Sequence, residues 1–94
     1  GGQVGRFSRL RRPQDPMIYV YVIRSLKANY NYVGITNNIQ RRFIQHNLGY
    51  NKSTKPFYPF KLILTETYEN YIEAREREKF LKSGKGREYL KGLV

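Results

Sequence analysis

The chain has 94 residues, of which eighteen are Lys or Arg and seven are Asp or Glu, giving a formal net charge of +11 and a pI near 10.1. This length allows one domain with a small core and excludes a multidomain enzyme. Because cysteine is absent, disulfide scaffolds and Cys-ligated zinc sites are excluded, and a reducing cytoplasm is the predicted location. The longest uncharged apolar run, residues 17–23, is far shorter than the roughly 20 residues that span a membrane, so no membrane partner is predicted. A basic chain rich in aromatic residues is instead typical of proteins that bind nucleic acid.

Residues 1–16 differ in composition from the rest of the chain. They contain four Arg and two Pro, lack an apolar period and end just before the only methionine, Met17. We predict that this segment is a disordered basic tail, or a remnant of cloning or upstream read-through. A functional basic arm that follows a phosphate backbone is the alternative. The folded domain is then 17–94, which keeps fourteen Lys and Arg against six Glu and so remains strongly basic.

Three segments have the composition of β-strands. Residues 17–24 and 30–36 are rich in β-branched and aromatic side chains, and a short polar turn joins them, so a hairpin is predicted. Residues 60–68 alternate well enough to form a third strand, with Leu62 and Leu64 on one face.

Three further segments are predicted to be helical. Residues 39–48 follow two asparagines, either of which can cap a helix. A second helix begins after Asn70, where Glu73 follows three residues later in the spacing of a capping box, and a short basic helix covers 86–93. The order β-β-α-β-α-α predicts an α+β domain, a three-stranded antiparallel sheet flanked by helices.

Glu78 interrupts the apolar pattern of the second helix. Ala74 and Leu81 share one face, and Glu78 lies between them on that face. A carboxylate in such a place is costly unless it is paired with a basic group or bound to a cation. The interpretations left open are an ion pair, a slightly rotated face that puts Glu78 at the rim, and a ligand of a hard divalent cation such as Mg²⁺.

The first helix and the hairpin hold candidates for contact with phosphate. Arg42 and His46 are four residues apart and therefore lie on one side of the helix, where they are either surface residues or part of a site. The planar fork of an arginine suits phosphate oxygens. Four phenols share one side of the hairpin: Tyr19 and Tyr21 on the first strand, and Tyr30 and Tyr32 on the second. They can contribute to a site or simply be half-buried sheet residues.

Taken in order, these residues resemble the GIY-YIG nuclease family. The resemblance rests on an ordered set of positions: Tyr19-Val20-Tyr21, Tyr32-Val33-Gly34, Arg42, His46 and Glu78. It covers essentially all of 17–94 and is closest to small single-domain members that resemble the N-terminal nuclease domain of the bacterial excision-repair incision subunit. The family's fold is the antiparallel sheet flanked by helices that the patterning predicts independently.

The resemblance implies hydrolysis of a DNA phosphodiester bond with Mg²⁺ or Mn²⁺, and no small-molecule cofactor. Tyr21 and Tyr32 would lie at the nucleophilic water and the scissile phosphate, and Arg42 would stabilise charge on the phosphoryl oxygens. His46 would relay a proton, and Glu78 would hold the metal. DNA is the implied partner.

Two positions depart from the family pattern, and one matches it for a steric reason. Tyr19 replaces the leading glycine of the first motif, and Ile35 replaces a lysine of the repair-type members, so water activation would depend more on Tyr21 and His46. Gly34 matches the glycine that is expected to let backbone or substrate approach closely.

The remaining basic residues form a candidate DNA-binding surface or, alternatively, a solvated basic face. The candidates are Lys52, Lys55, Lys82, Lys85 and Arg87. We therefore predict a metal-dependent DNA endonuclease of low sequence specificity, structure-selective in DNA repair or recombination. A catalytically weak nucleic-acid-binding module and a basic adaptor for an acidic protein are the two alternatives.

Overall fold

The computed structural model describes residues 17–94 and has the element order β-β-α-β-α-α. The elements are β1 (Ile18–Ser25), β2 (Asn31–Thr36), α1 (Ile39–Asn47), a short 3₁₀ helix (Lys55–Phe57), β3 (Phe60–Tyr68), α2 (Tyr71–Lys82) and α3 (Gly84–Lys91). The predicted α+β fold is confirmed. The basic segment 1–16 lies outside the described residues. Within 17–94, no helix has both the length and the apolar character needed to cross a membrane.

The sheet has the strand order β2-β1-β3, and both pairings are antiparallel. Because β1 is central and covered on both faces, its side chains are buried in nearly every position. On one face, Val20 and Val22 pack against Ala74, Leu81 and Leu90 of α2 and α3.

The opposite face of the sheet forms a second core. Tyr21 and Ile23 pack there with Phe60, against partly buried side chains that include Tyr32 and Phe43. Since alternate residues of β1 enter different cores, α1 approaches one face of the sheet while α2 and α3 approach the other. The Tyr21 face is the aromatic one.

A β-bulge in β3 corrects one prediction. Val22 of β1 is opposite Leu64, whereas the next residue, Ile23, is opposite Leu62, so Ile63 is the extra residue. Neighbouring residues of β1 point to opposite faces, and Leu62 and Leu64 therefore do as well. The prediction that they share a face was wrong because an alternating pattern cannot reveal an inserted residue.

Asparagine caps begin the first two helices, as predicted. The Asn38 side chain accepts a hydrogen bond from the Arg41 backbone N–H at 3.0 Å, and the Asn70 side chain accepts one from Glu73 at 2.9 Å. Past the end of α1, Gly49 has a φ of +77°, a left-handed conformation that glycine adopts at no steric cost.

The third helix begins two residues earlier than predicted. Ser83 ends α2 and also caps α3, because its hydroxyl accepts a hydrogen bond from the Gly86 backbone N–H. Gly86 is buried, and a Cβ there would collide with backbone atoms of Phe80 and Leu81. The close approach of α3 to α2 therefore requires glycine at this position.

Candidate active site

Tyr21 lies at the centre of the candidate site, on the face of β1 that α1 covers. Its side chain is only 2% exposed. The ring lies directly over Gly34 of β2, where a Cβ would be 2.5 Å from the phenolic oxygen and 2.6 Å from Cζ. The Tyr21 ring thus makes a close approach at Gly34, where a larger side chain would not fit.

His46 joins Tyr21 to a buried hydroxyl in the segment after α1. The Tyr21 hydroxyl is 2.8 Å from His46 Nε2, and His46 Nδ1 is 2.8 Å from Thr54 Oγ1. His46 and Thr54 are both completely buried. Thr54 also donates to the Asn51 carbonyl at 3.4 Å, which leaves its oxygen free to accept from Nδ1–H. We therefore assign the tautomer in which Nε2 accepts a hydrogen bond from the Tyr21 hydroxyl.

The environment holds this pair in its neutral form at pH 7. Burial raises the pKa of Tyr21 to about 12, although the nearby Arg42 guanidinium opposes the rise. Burial lowers the pKa of His46 to about 4, and the positive charge of Arg42 adds to that shift. The resting site therefore contains a phenol and an uncharged imidazole, with the proton on the tyrosine.

Arg42 and Tyr32 complete the cluster. Arg42, one turn before His46 on α1, is half-buried, and its guanidinium donates to the Gln45 side-chain carbonyl at 3.1 Å. The Tyr32 ring centroid is 5.0 Å from that of His46 and 6.2 Å from that of Tyr21. These four predicted residues are brought together by the fold.

The other two phenols of the hairpin do not join them. Tyr30 stacks on Phe57 at a centroid distance of 4.0 Å, and Tyr19 is absent from both cores. The hairpin register keeps the phenols on the predicted face, and Tyr30 belongs to the same aromatic core, but Tyr21 and Tyr32 are the two that pack against His46.

Glu78 approaches the site from α2. Its side chain is 18% exposed, and the Lys82 ammonium, one turn later, lies 3.0 Å from Oε2. Among the effects on the pKa of Tyr21, the negative charge of Glu78 is the weakest, and it raises the pKa. Both predicted features are present, an ion pair and a position at the rim.

A single carboxylate such as Glu78 can be a ligand for a hard divalent cation only if other groups complete the coordination shell. Among residues 17–94, no three His, Cys, Asp or Glu side chains cluster closely enough to form a metal site by themselves. Mg²⁺ commonly takes only one or two protein carboxylates, and substrate phosphates and water complete its shell. Glu78 would then hold the cation together with the substrate.

The predicted basic residues separate into two groups. Lys82 and Arg87 line a groove of about 590 Å³ at the β2 edge of the sheet. Lys52, Lys55 and Lys85 are exposed and do not line it.

Sequence patterning missed two residues of this region, Thr54 and Arg24. Thr54 lies in a loop, eight residues from His46, and loops have no periodicity that would indicate which side chain turns inward. Arg24 lines the groove from β1 and comes close to the cations of α3 only through tertiary packing. The only sequence signal that could have identified Arg24 is its charge at the end of an otherwise apolar strand.

Known proteins match this chain along most of its length. A family model for the GIY-YIG catalytic domain matches residues 17–91. A UPF0213 protein of Clostridium perfringens is 40% identical over 67 residues, which span 70% of this chain and 71% of that protein. One from Staphylococcus haemolyticus is 35% identical over 74 residues, 78% of this chain and 89% of the relative.

A solved structure agrees with these matches. The solution NMR structure of a UPF0213 protein from Bacillus halodurans has 30% sequence identity and a TM-score of 0.50, covering 82% of this chain and 84% of that one. The motif tyrosines, Arg42, His46 and Glu78 all lie within the matched family segment. The chain therefore belongs to the GIY-YIG nuclease family.

Proposed function

We propose that this protein is a divalent-metal-dependent endonuclease that hydrolyses DNA phosphodiester bonds with low sequence specificity. The observation that carries the proposal is the buried hydrogen bond between the Tyr21 hydroxyl and His46 Nε2, next to Arg42 and Tyr32. Any buried tyrosine hydroxyl needs a hydrogen-bond acceptor, but an imidazole nitrogen, unlike a carbonyl oxygen, can also take up the proton.

Tyr21 would act as a proton shuttle. As the attacking water forms its bond to phosphorus, the Tyr21 oxygen takes a proton from that water and passes its own proton to His46 Nε2. The P–O3′ bond breaks in the same displacement, and the electron pair leaves with the 3′ oxygen. Because the pKa of Tyr21 is raised and that of His46 is lowered, the resting site holds no phenolate, and the two proton transfers would occur together. The transfer becomes favourable only as negative charge develops on the phosphoryl group next to the new imidazolium.

Arg42 and Glu78 would act on the phosphate. The guanidinium of Arg42 can donate to a phosphoryl oxygen, a contact worth roughly 3 to 4 kcal/mol by analogy with one oxyanion donor. Glu78 would hold Mg²⁺ or Mn²⁺, and the bound cation supplies Lewis-acid stabilisation of the departing oxygen. The roles assigned to Arg42 and Glu78 are contacts to phosphate, and phosphate contacts carry no sequence information directly, which supports low sequence specificity.

Structure selectivity and a place in DNA repair or recombination are part of the proposal. The test is incubation with labelled single-stranded, duplex, nicked, flapped and branched DNA, with Mg²⁺, Mn²⁺ or EDTA. We expect cleavage that EDTA abolishes and that favours a junction over intact duplex.

The matched variant is Glu78→Gln, which keeps the shape of the side chain and removes its charge. We expect it to lose cleavage while binding DNA as well as the wild type or more tightly. Full cleavage by Glu78→Gln would overturn the metal assignment, and binding by the wild type without cleavage of any substrate would leave a nucleic-acid-binding module.

A further inference from the structure

We propose that the groove at the β2 edge binds the phosphodiester backbone of one unpaired strand as that strand continues from the active site. The proposal rests on the nuclease function above and adds the surface and the substrate class. The rim of the groove carries four cationic side chains, and among residues 17–94 no Asp or Glu lines it. The cations are Arg24, Lys82, Arg87 and Lys91.

Arg24 is held in place for such a ligand. Its Nη1 donates to the Asn31 side chain at 3.0 Å and its Nη2 donates to Asn29 at 3.1 Å. A guanidinium has five N–H donors, so others remain for a phosphate oxygen. Fixing the side chain beforehand reduces the conformational entropy that binding would otherwise cost.

The cations of α3 can be released to a phosphate at little cost. Lys91 lies 3.4 Å from Glu88, but both side chains are about three-quarters exposed, and an ion pair of that kind contributes little. Arg87, also exposed, has no ion-pair partner among residues 17–94.

The groove is continuous with the candidate active site. Tyr32 lines both, and Lys82 lines the groove while pairing with Glu78. A strand whose scissile phosphate lies near Tyr21 therefore meets the groove cations on one side.

The size of the groove favours a single strand over a duplex. A volume of about 590 Å³ is in the range that accepts a small ligand or a nucleotide. Buried side chains close its floor: Val33, Leu81 and Leu90. A cationic channel of this kind is typical of proteins that bind single strands.

The test is the double variant Arg87→Ala/Lys91→Ala beside Arg75→Ala/Lys79→Ala. Each removes one Arg and one Lys four residues apart from exposed positions of a helix, but only the first pair lines the groove. Binding of a fluorescein-labelled single-stranded oligonucleotide is measured by anisotropy in EDTA, from about 50 to 200 mM salt, so that cleavage plays no part.

We expect the groove variant to weaken single-strand binding about tenfold or more, and to reduce the salt slope by about 1.4 for two lost phosphate contacts. The control variant on α2 should lose less than about threefold in single-strand affinity, because it only reduces the overall positive charge of the protein. Equal losses of affinity in the two variants would overturn the assignment of the groove as the binding surface. An equal loss of affinity for intact duplex would overturn the preference for a single strand.

Failure of the groove is distinguishable from failure of the nuclease function. Cleavage by the wild type in Mn²⁺ tests the active site without reference to these positions. If the groove variant binds normally and the wild type still cleaves, only the groove proposal falls.

Discussion

The two halves of the site have opposite physical characters. Tyr21, His46 and Thr54 form a buried, uncharged chain of hydrogen bonds, in which no residue is more than 2% exposed. Glu78 and Lys82 form a charged pair at the surface, with Lys82 55% exposed. Short hydrogen bonds in a low dielectric fix proton positions, whereas exposed charges are screened and can exchange partners. The inner half therefore suits proton transfer, and the outer half suits binding of a cation and phosphates.

The largest effect is expected from removing the Tyr21 hydroxyl, which belongs to the buried half of the site. Tyr21→Phe should reduce cleavage by roughly 10²- to 10⁴-fold, because the water loses its proton acceptor while the ring stays over Gly34. DNA affinity in EDTA should be unchanged. The control is Tyr68→Phe. It removes a hydroxyl that donates to Glu66 at 3.0 Å and has no role in the proposed reaction. If the two variants cleave equally well, Tyr21 is not the shuttle.

The second largest effect is expected on stability, when low pH protonates His46 in the buried half of the site. The pKa of His46 is about 4 in the folded chain against 6.5 for an ordinary imidazole, so between these values the unfolded state binds the additional proton. The stability that the folded state has with a neutral His46 is present in full above pH 6.5 and is lost as the pH falls toward 4. The shift corresponds to roughly 3 kcal/mol of unfolding free energy.

Urea unfolding at a series of pH values measures this contribution of His46 to the unfolding free energy. The wild type should lose stability between pH 6.5 and 4, and His46→Gln, whose side chain does not titrate, should show a flatter profile. Parallel profiles for the two proteins would contradict a buried neutral imidazole.

A smaller effect is expected at the far end of the hydrogen-bond chain. Thr54→Val keeps the shape of the side chain but leaves His46 Nδ1–H without its acceptor, at a cost of about 1 to 3 kcal/mol. Ser53→Ala is an exposed neighbour that should change stability by less than about 0.5 kcal/mol.

A merely structural threonine would not affect the ring. In Thr54→Val, ¹⁵N NMR of the His46 imidazole should show a mixture of tautomers in place of one, together with reduced cleavage. An unchanged tautomer would show that Thr54 does not orient His46.

The smallest effect should come from the outer half. Glu78→Gln removes an ion pair whose lysine is mostly in water, so we expect the unfolding free energy to change by less than about 1 kcal/mol. Thermal melting measures it. A loss of several kcal/mol would mean that Glu78 is a structural partner and not a ligand held for a cation.

Local sequence signals determined most of the secondary structure. The asparagines at 38 and 70 mark helix starts because a side-chain oxygen satisfies an otherwise unpaired backbone N–H, whatever the rest of the fold. The central strand is recognisable because burial on both faces selects an unbroken apolar and aromatic run. Together with the ordered motif residues, these signals sufficed to predict the fold and to select Tyr21, Arg42, His46 and Glu78.

What only the tertiary structure decided concerns contacts between elements that are distant in sequence. Neither the bulge at Ile63 nor the seating of the Tyr21 ring on Gly34 has a local signature, because each depends on strand register. The same holds for Thr54, which reaches His46 from a loop, and for Arg24, which meets the cations of α3 across the groove. Sequence patterning reports which residues share a face of one element, whereas a site requires that faces of several elements meet, and packing alone determines how they do so.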